Sequence, residues 1–209
     1  MIAPKTQRLR LVPVTVDNAD VLWRIMQSSH LREFQDVPRY TREEFRERVA
    51  ARPKRFDVRS IGRFEWLVVP LDSGRSIGWI SLRFGDQTRG VGEIGYSLLA
   101  GFRGRGYARE AIAGLLDAAF AAISLKGVEA CCVPANLASR RLLLALGFEQ
   151  LKIQRHGAVV RGRPVDIVLY RQRREEWLAR ERSGEVGELD RDPGVGKSKV
   201  TPPVAGERG

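Results

Sequence analysis

The chain has 209 residues, 36 Lys+Arg against 25 Asp+Glu for a net charge of +11, and 43% hydrophobic residues, so it can bury a real core and is not a wholly disordered chain. Its 2 Cys and 2 His exclude a disulfide-stapled scaffold and give no metal-ligand spacing, so no metal is expected. No stretch approaches the roughly 20 apolar residues of a membrane span and Met1 to Lys5 opens no signal core. The expectation is a soluble cytoplasmic protein with no membrane partner, whose charge serves an anionic ligand, an RNA-rich location or nothing specific.

Leu9 to Val14 alternates loosely and predicts an edge strand, where Pro13 is tolerable. Ala19, Leu22, Trp23 and Met26 repeat at helical spacing. Thr41-Arg42-Glu43-Glu44 reads as a capping box, flanked by Tyr40 and Phe45 in the positions of a hydrophobic staple, and Pro53 ends the helix that follows. Three strands are expected near Glu65 to Pro70, Ser76 to Phe84 and Val91 to Leu99, the first two joined by Asp72-Ser73-Gly74. Ala108, Ala111, Ile112, Leu115, Leu116, Ala119 and Phe120 form one apolar stripe and predict the longest helix. Val128 to Val133 is a short strand. Asn136 caps a helix with Ala138, Leu142, Ala145 and Leu146 as its buried face, stopped by Gly147. Strands at Phe148 to Gln154 and Val165 to Tyr170 precede a charged helical end, Arg171 to Arg182. The last 27 residues hold six Gly, three Pro and no aromatic residue, and predict a disordered tail, 183–209, after a single domain, 1–182. The fold class is α/β with a mixed sheet.

The segment Val91 to Ala108 carries the chemistry. A strand runs into Gly101-Phe102-Arg103-Gly104-Arg105-Gly106-Tyr107-Ala108 and directly into the long helix. Glycines let backbone approach a ligand, and the free amides at a helix start attract anions. The spacing is neither that of a dinucleotide fingerprint nor that of a phosphate-binding P-loop. The glycines alone are also compatible with a strand–helix turn that binds nothing.

Arg103-Gly104-Arg105-Gly106-Tyr107-Ala108 resembles the R/Q-x-x-G-x-G/A element of the GNAT N-acetyltransferase superfamily. Glu93-Ile94-Gly95-Tyr96, Asn136-x-x-Ser139, Leu146-Gly147-Phe148, the opening Thr6-x-Arg8-Leu9-x-Leu11 and Asp166-x-x-Leu169-Tyr170 are similar to the branch that acetylates ribosomal-protein N-termini (the RimJ/RimL type). The resemblance spans about residues 6 to 178. It implies a mixed, mostly antiparallel sheet splayed between its fourth and fifth strands, with helices on both faces. It implies acetyl-coenzyme A as co-substrate, with the amides of Arg103, Gly104, Arg105, Gly106, Tyr107 and Ala108 around the pyrophosphate. The strand edge at Tyr96, Ser97, Leu98 and Leu99 would pair with the pantetheine arm, and Asn136 would bond that arm or serve only as the helix cap.

The implied reaction is direct attack by a neutral primary amine on the thioester. A base takes the amine's proton, a backbone amide steadies the oxyanion and a donor protonates the departing thiolate. The Tyr common in the family seven residues after the Asn is Leu143 here, and the Glu five residues before it is Cys131. That leaves Ser139 as the candidate thiolate donor and Glu93 as the candidate base, with a solvated or ion-paired role as its bland alternative. Cys131 and Cys132 face opposite sides of a strand and are expected as buried structural thiols. His30 and His156 are expected on the surface, in a loop and a turn.

Phe34, Tyr40 and Trp79 are the candidate acceptor-binding residues, with Glu33 or Asp36 placed to attract a cationic amine. The acceptor is a protein N-terminus, with ribosome association, or a small amine such as an aminoglycoside or polyamine. A non-catalytic acyl-coenzyme A sensor or RNA-binding module is the reading from another class, and a different acyl donor such as succinyl-coenzyme A is a third. The chain is expected as a monomer or a homodimer.

Overall fold

The structure is a computed structural model that describes residues 1–35, 39–85 and 90–183, leaving out the side chains at positions 30, 32 and 181–183. Asp36 and the tail after residue 183 therefore lie outside the described residues. The strands are β1 (Leu9–Pro13), β2 (Gly62–Pro70), β3 (Gly78–Phe84), β4 (Val91–Leu98), β5 (Gly127–Cys132), β6 (Glu149–Val160) and β7 (Arg163–Arg173). They form one sheet in the order β1-β2-β3-β4-β5-β7-β6, antiparallel throughout except for β4 beside β5. The helices are α1 (Ala19–Met26), α2 (Arg42–Ala50), α3 (Tyr107–Ala122), α4 (Leu137–Ala145) and α5 (Arg174–Ser183).

Strand alternation sorts the side chains onto two faces. Trp66, Ile80 and Tyr96 stand opposite one another on the first face, and Leu67, Trp79 and Ser97 on the second. The first face packs against the α3 stripe, where Ile112, Leu115, Leu116, Ala119 and Phe120 are wholly buried. The second lies under α1 and α2, which bury Ala19, Leu22, Phe45 and Val49 over Leu67, Val69 and Trp79. Thr41 and Glu44 form the reciprocal capping box that starts α2, and the Tyr40 and Phe45 rings stand 6.5 Å apart. The Trp23 indole N–H donates to the Tyr40 carbonyl at 2.9 Å, tying α1 to the segment that enters α2.

Several local expectations change. β2 begins three residues earlier than its hydrophobic run, at Gly62, and β3 begins at Gly78 instead of Ser76. The strands after α4 run to Val160 and Arg173, so Arg171 to Arg173 belong to β7 and not to the final helix. His156 is not in a turn: it sits at φ +49 within β6, where the register shifts between Gln154 and Ala158, and its backbone N–H donates to the Asp166 carboxylate at 2.9 Å. On α4, Ala138 and Ala145 are exposed, while Leu143 is wholly buried beside Leu146. Alanines carry little burial energy, so the larger Leu143 sets the rotation of the helix.

The feature that shapes the site is the brevity of the one parallel contact. β4 and β5 pair only at Val91↔Gly127, Gly92↔Val128 and Glu93↔Glu129. Beyond Glu93, β4 continues along β3 to Leu98, and β5 continues along β7 to Cys132. The sheet is thus splayed between its fourth and fifth strands.

Gly78 keeps the outer side of β4 closed. A Cβ there would stand 2.2 Å from the Ser97 carbonyl oxygen. Gly78→Ala is expected to lower the stability measured by urea unfolding by about 1–3 kcal/mol, the cost of forcing a packed backbone apart.

Candidate active site

The open side of β4 presents backbone. The Leu99 N–H donates to the Ile77 carbonyl at 2.9 Å, so odd-numbered residues near it turn their backbone toward β3. The backbone groups of Tyr96 and Leu98 therefore face the slot, where no strand pairs them. The Leu98 carbonyl accepts from Arg103 Nε at 3.2 Å, which draws the following loop to the end of the slot. Ser97 points to the α1/α2 face, opposite Trp79.

The loop enters α3 with Gly104 at φ +73 and Gly106, the N-cap, at φ +78. Both values lie in the left-handed region that glycine tolerates. A glycine N-cap has no side chain to satisfy the first turn, and the first intrahelical bond runs from the Glu110 N–H to the Gly106 carbonyl at 3.0 Å. From Gly104 to Ala108 five consecutive backbone N–H groups meet no acceptor among the described residues. A Cβ on Gly104 would meet nothing within 4 Å, so the approach is open. The Arg105 guanidinium lies over the Phe102 ring, 5.8 Å from its centroid. This is a concave set of donors at a positive helix end, suited to a polyanion.

On the α3 face the slot ends in a small polar cluster. The Tyr96 hydroxyl and Ser139 Oγ are 2.8 Å apart. Burial pushes the Tyr96 phenol up to about 12, against the opposing pull of its bond to Ser139. Cys132 adjoins Ser139; burial raises its thiol, and the Ser139 hydroxyl and the Arg140 charge oppose that rise. Asn136 caps α4 by accepting the Ser139 N–H at 3.1 Å, which leaves its Nδ2 donor unused among the described residues. Cys132 is buried as expected, but Cys131 is exposed. The helices of its face cover β2 and β3 and leave β5 bare.

Glu93 opens onto the other face. It is half-exposed and ion-paired with Arg83, its partner on β3. One strand on, Glu129 pairs with Arg171, extending a row of charges across the sheet. Glu93 and Ser139 thus stand at opposite mouths of the slot. Trp79 is only 5% exposed, a floor beneath α1 and α2, with a buried indole N–H that has no acceptor among the described residues. Phe34 and Tyr40 are half-buried, and the Arg48 guanidinium stacks 4.3 Å over the Tyr40 ring. Beside them the buried Glu65 carboxylate pairs with Arg52 at the end of α2.

The sequence profile of the acetyltransferase (GNAT) domain matches residues 8–149. The chain belongs to the GNAT acetyltransferase family. It is 27% identical over 173 residues to a Bacillus licheniformis protein named uncharacterized N-acetyltransferase p20, covering 82% of this chain and 96% of that relative. Among solved structures, RimL, named as a ribosomal L7/L12 α-N-protein acetyltransferase and solved in complex with coenzyme A, superposes with a TM-score of 0.72 at 16% identity, over 84% of this chain and 99% of its own. A Vibrio cholerae spermidine N-acetyltransferase SpeG chimera gives the same TM-score of 0.72 at 16% identity, over 82% and 99%. These likenesses agree on the GNAT fold and carry different acceptor names.

Two partners in the site had no signal in the sequence read by itself. The Tyr96 side chain was expected only as part of a strand edge, and its bond to Ser139 spans 43 positions. Arg83 meets Glu93 only because the β3–β4 register places them opposite. A neutral, half-buried Tyr96 has a testable consequence. With the folded value raised above the ordinary 10, its contribution to stability is present below pH 10 and is lost as pH rises toward 12. Subtracting the tyrosinate absorbance titration of Tyr96→Phe from that of the unaltered chain is expected to leave one group that ionises only near pH 12.

Proposed function

We propose that this protein transfers an acetyl group from acetyl-coenzyme A to a primary amine by direct attack, and that the acceptor is a protein N-terminus. The run of amides from Gly104 to Ala108 without an acceptor among the described residues, set beside a strand edge that no other strand pairs there, carries the reading. Acetyl-coenzyme A supplies the activated thioester. The residues present suit it: the loop of Arg103, Gly104, Arg105, Gly106, Tyr107 and Ala108 for a pyrophosphate, and the β4 edge at Tyr96, Ser97, Leu98 and Leu99 with Asn136 Nδ2 for an amide-bearing arm. An extended arm with its own amides adds to an open edge as another strand would.

The two mouths of the slot divide the work. On the α1/α2 face Glu93 accepts the amine's proton, directly or through water, and Phe34, Tyr40 and Trp79 shape the acceptor's approach. A slot-facing amide of β4 steadies the developing oxyanion. On the α3 face Ser139 protonates the departing thiolate and takes a proton in turn from Tyr96, which is neutral at physiological pH; exchange with solvent then removes the proton from Glu93 and returns one to Tyr96. The basic balance of the chain favours an acceptor met on an RNA-rich particle, in which case association weakens steeply with salt.

Calorimetric titration with acetyl-coenzyme A, followed by thiol release with N-terminal peptides, polyamines and aminoglycosides, tests the proposal. Tight binding with peptide-dependent release supports it. Release driven by polyamines or aminoglycosides moves the acceptor to small amines, and binding without release across the panel favours a sensor. Ser139→Ala is expected to lower kcat by about 10²-fold, the usual worth of one proton donor.

A further inference from the structure

The N-terminal segment is strapped onto the first turn of α3. Thr6 Oγ1 donates to Glu110 Oε1 at 2.5 Å, the Arg8 backbone N–H donates to the same oxygen at 2.7 Å, and Arg8 Nε meets Glu110 Oε2 at 2.6 Å. Gly114 makes room for the strap: a Cβ there would stand 2.4 Å from Thr6 Cγ2. Held in this way, the Arg8 guanidinium lies 4.9 Å from the Tyr107 ring centroid and donates from Nη1 to the Arg105 carbonyl at 3.2 Å. Its Nη2 lies against Gly106, 3.1 Å from where a Cβ would stand.

The bond to the Arg105 carbonyl has a directional effect. In a trans peptide the C=O of one residue and the N–H of the next point in opposite directions, and the described chain has no cis bond. Capturing the Arg105 carbonyl on the Arg8 side therefore turns the Gly106 N–H the other way. A flip of this peptide turns ψ of Arg105 and φ of Gly106, and the freedom of a glycine at φ +78 permits it; the flip would set a carbonyl where an anion is to bind. Glu110 is itself an anion near that place, and Arg8 neutralises it.

We propose that Arg8, fixed by Glu110 and Thr6, is a positioning residue that locks the Arg105–Gly106 peptide with its N–H available to the donor's pyrophosphate. The proposal rests on the reading of this loop as the coenzyme A site. It also gives a physical reason for the opening Thr6-x-Arg8 motif, which the catalytic scheme leaves unused.

The test is the affinity of the full chain for coenzyme A and for pantetheine, which lacks the pyrophosphate, in Arg8→Ala, Glu110→Ala, the double variant and Arg8→Lys. The ratio of the two affinities is expected to fall about tenfold in each single variant, the worth of one charge-assisted hydrogen bond, and no further in the double variant, because the two side chains act as one unit. Arg8→Lys keeps the pairing with Glu110 but lacks the second arm for the Arg105 carbonyl, so it shows the same loss even if the alanine variants fold poorly. Ratios within twofold of the unaltered chain, or equal losses for both ligands, overturn the positioning role while leaving the site reading intact. Failure of the unaltered chain to bind coenzyme A overturns the site reading and the proposal together.

Discussion

β4 and β5 share only three paired positions, yet neither strand ends there. Each is held by its other neighbour, β4 by β3 as far as Leu98 and β5 by β7 as far as Cys132. The sheet therefore contains an edge in its interior. Backbone donors and acceptors that lack a partner are costly, roughly 1–3 kcal/mol each when kept from water, and an open strand edge is a template for another chain. An edge of this kind at the centre of the sheet is what the function proposed above would use, with an extended arm pairing as another strand would. The amide-rich turn at the start of α3 stands at the end of the same opening because Arg103 binds the last carbonyl of β4.

The slot passes between the two faces of the sheet, and strand alternation gives those faces different chemistry. Tyr96 and Ser139 meet half-buried on the α3 side, where the Tyr96 phenol, raised to about 12, keeps its proton over the whole physiological range. Glu93 lies on the α1/α2 side among exposed ion pairs with Arg83 and, one strand away, Glu129 with Arg171. Surface pairs of this kind are weak, so the carboxylate is exchangeable and not locked. On the function proposed above, the group that would give a proton and the group that would take one stand on opposite faces of the sheet.

What the residues revealed in advance follows from the range of each signal. The capping box of α2, the stripe of α3 and the glycine turn before it are local patterns, and each stands where the sequence places it. The resemblance of the loop and of Asn136-x-x-Ser139 to a known family anticipated the splay, which no local pattern encodes. The contacts that complete the site join distant positions: Tyr96 with Ser139, Arg83 with Glu93, Arg8 with Glu110. They depend on register and on the crossing of the N-terminal segment over α3, which propensity and periodicity do not report. Cys131 shows the same limit from the other side. Its alternation with Cys132 was legible, but its exposure depends on α1 and α2 stopping short of β5.

The scaffold constrains the acceptor less than the donor. On the function proposed above, the donor's groups would be backbone amides and a strand edge, which follow from the path of the chain and would persist while side chains vary. The acceptor's wall would be made of side chains set on α1 and α2, which rest on Trp79 beside the buried Glu65–Arg52 pair. A protein named for a ribosomal acceptor and a chimera named for a polyamine superpose on this chain equally well, so the common backbone does not discriminate between them. Discrimination must lie in what the α1/α2 face offers an incoming amine. That face carries arginines at 48, 52, 63 and 83, three of them paired with its carboxylates: Arg52 and Arg63 with Glu65, and Arg83 with Glu93. A polyamine brings two or more cations into this field, whereas a peptide N-terminus brings one and can add carbonyls, and where its sequence supplies them carboxylates, that the arginines satisfy. On the function proposed above, a polycation at this mouth would have to displace arginines from carboxylates they already pair with, whereas a single amine carried on a chain of carbonyls would not.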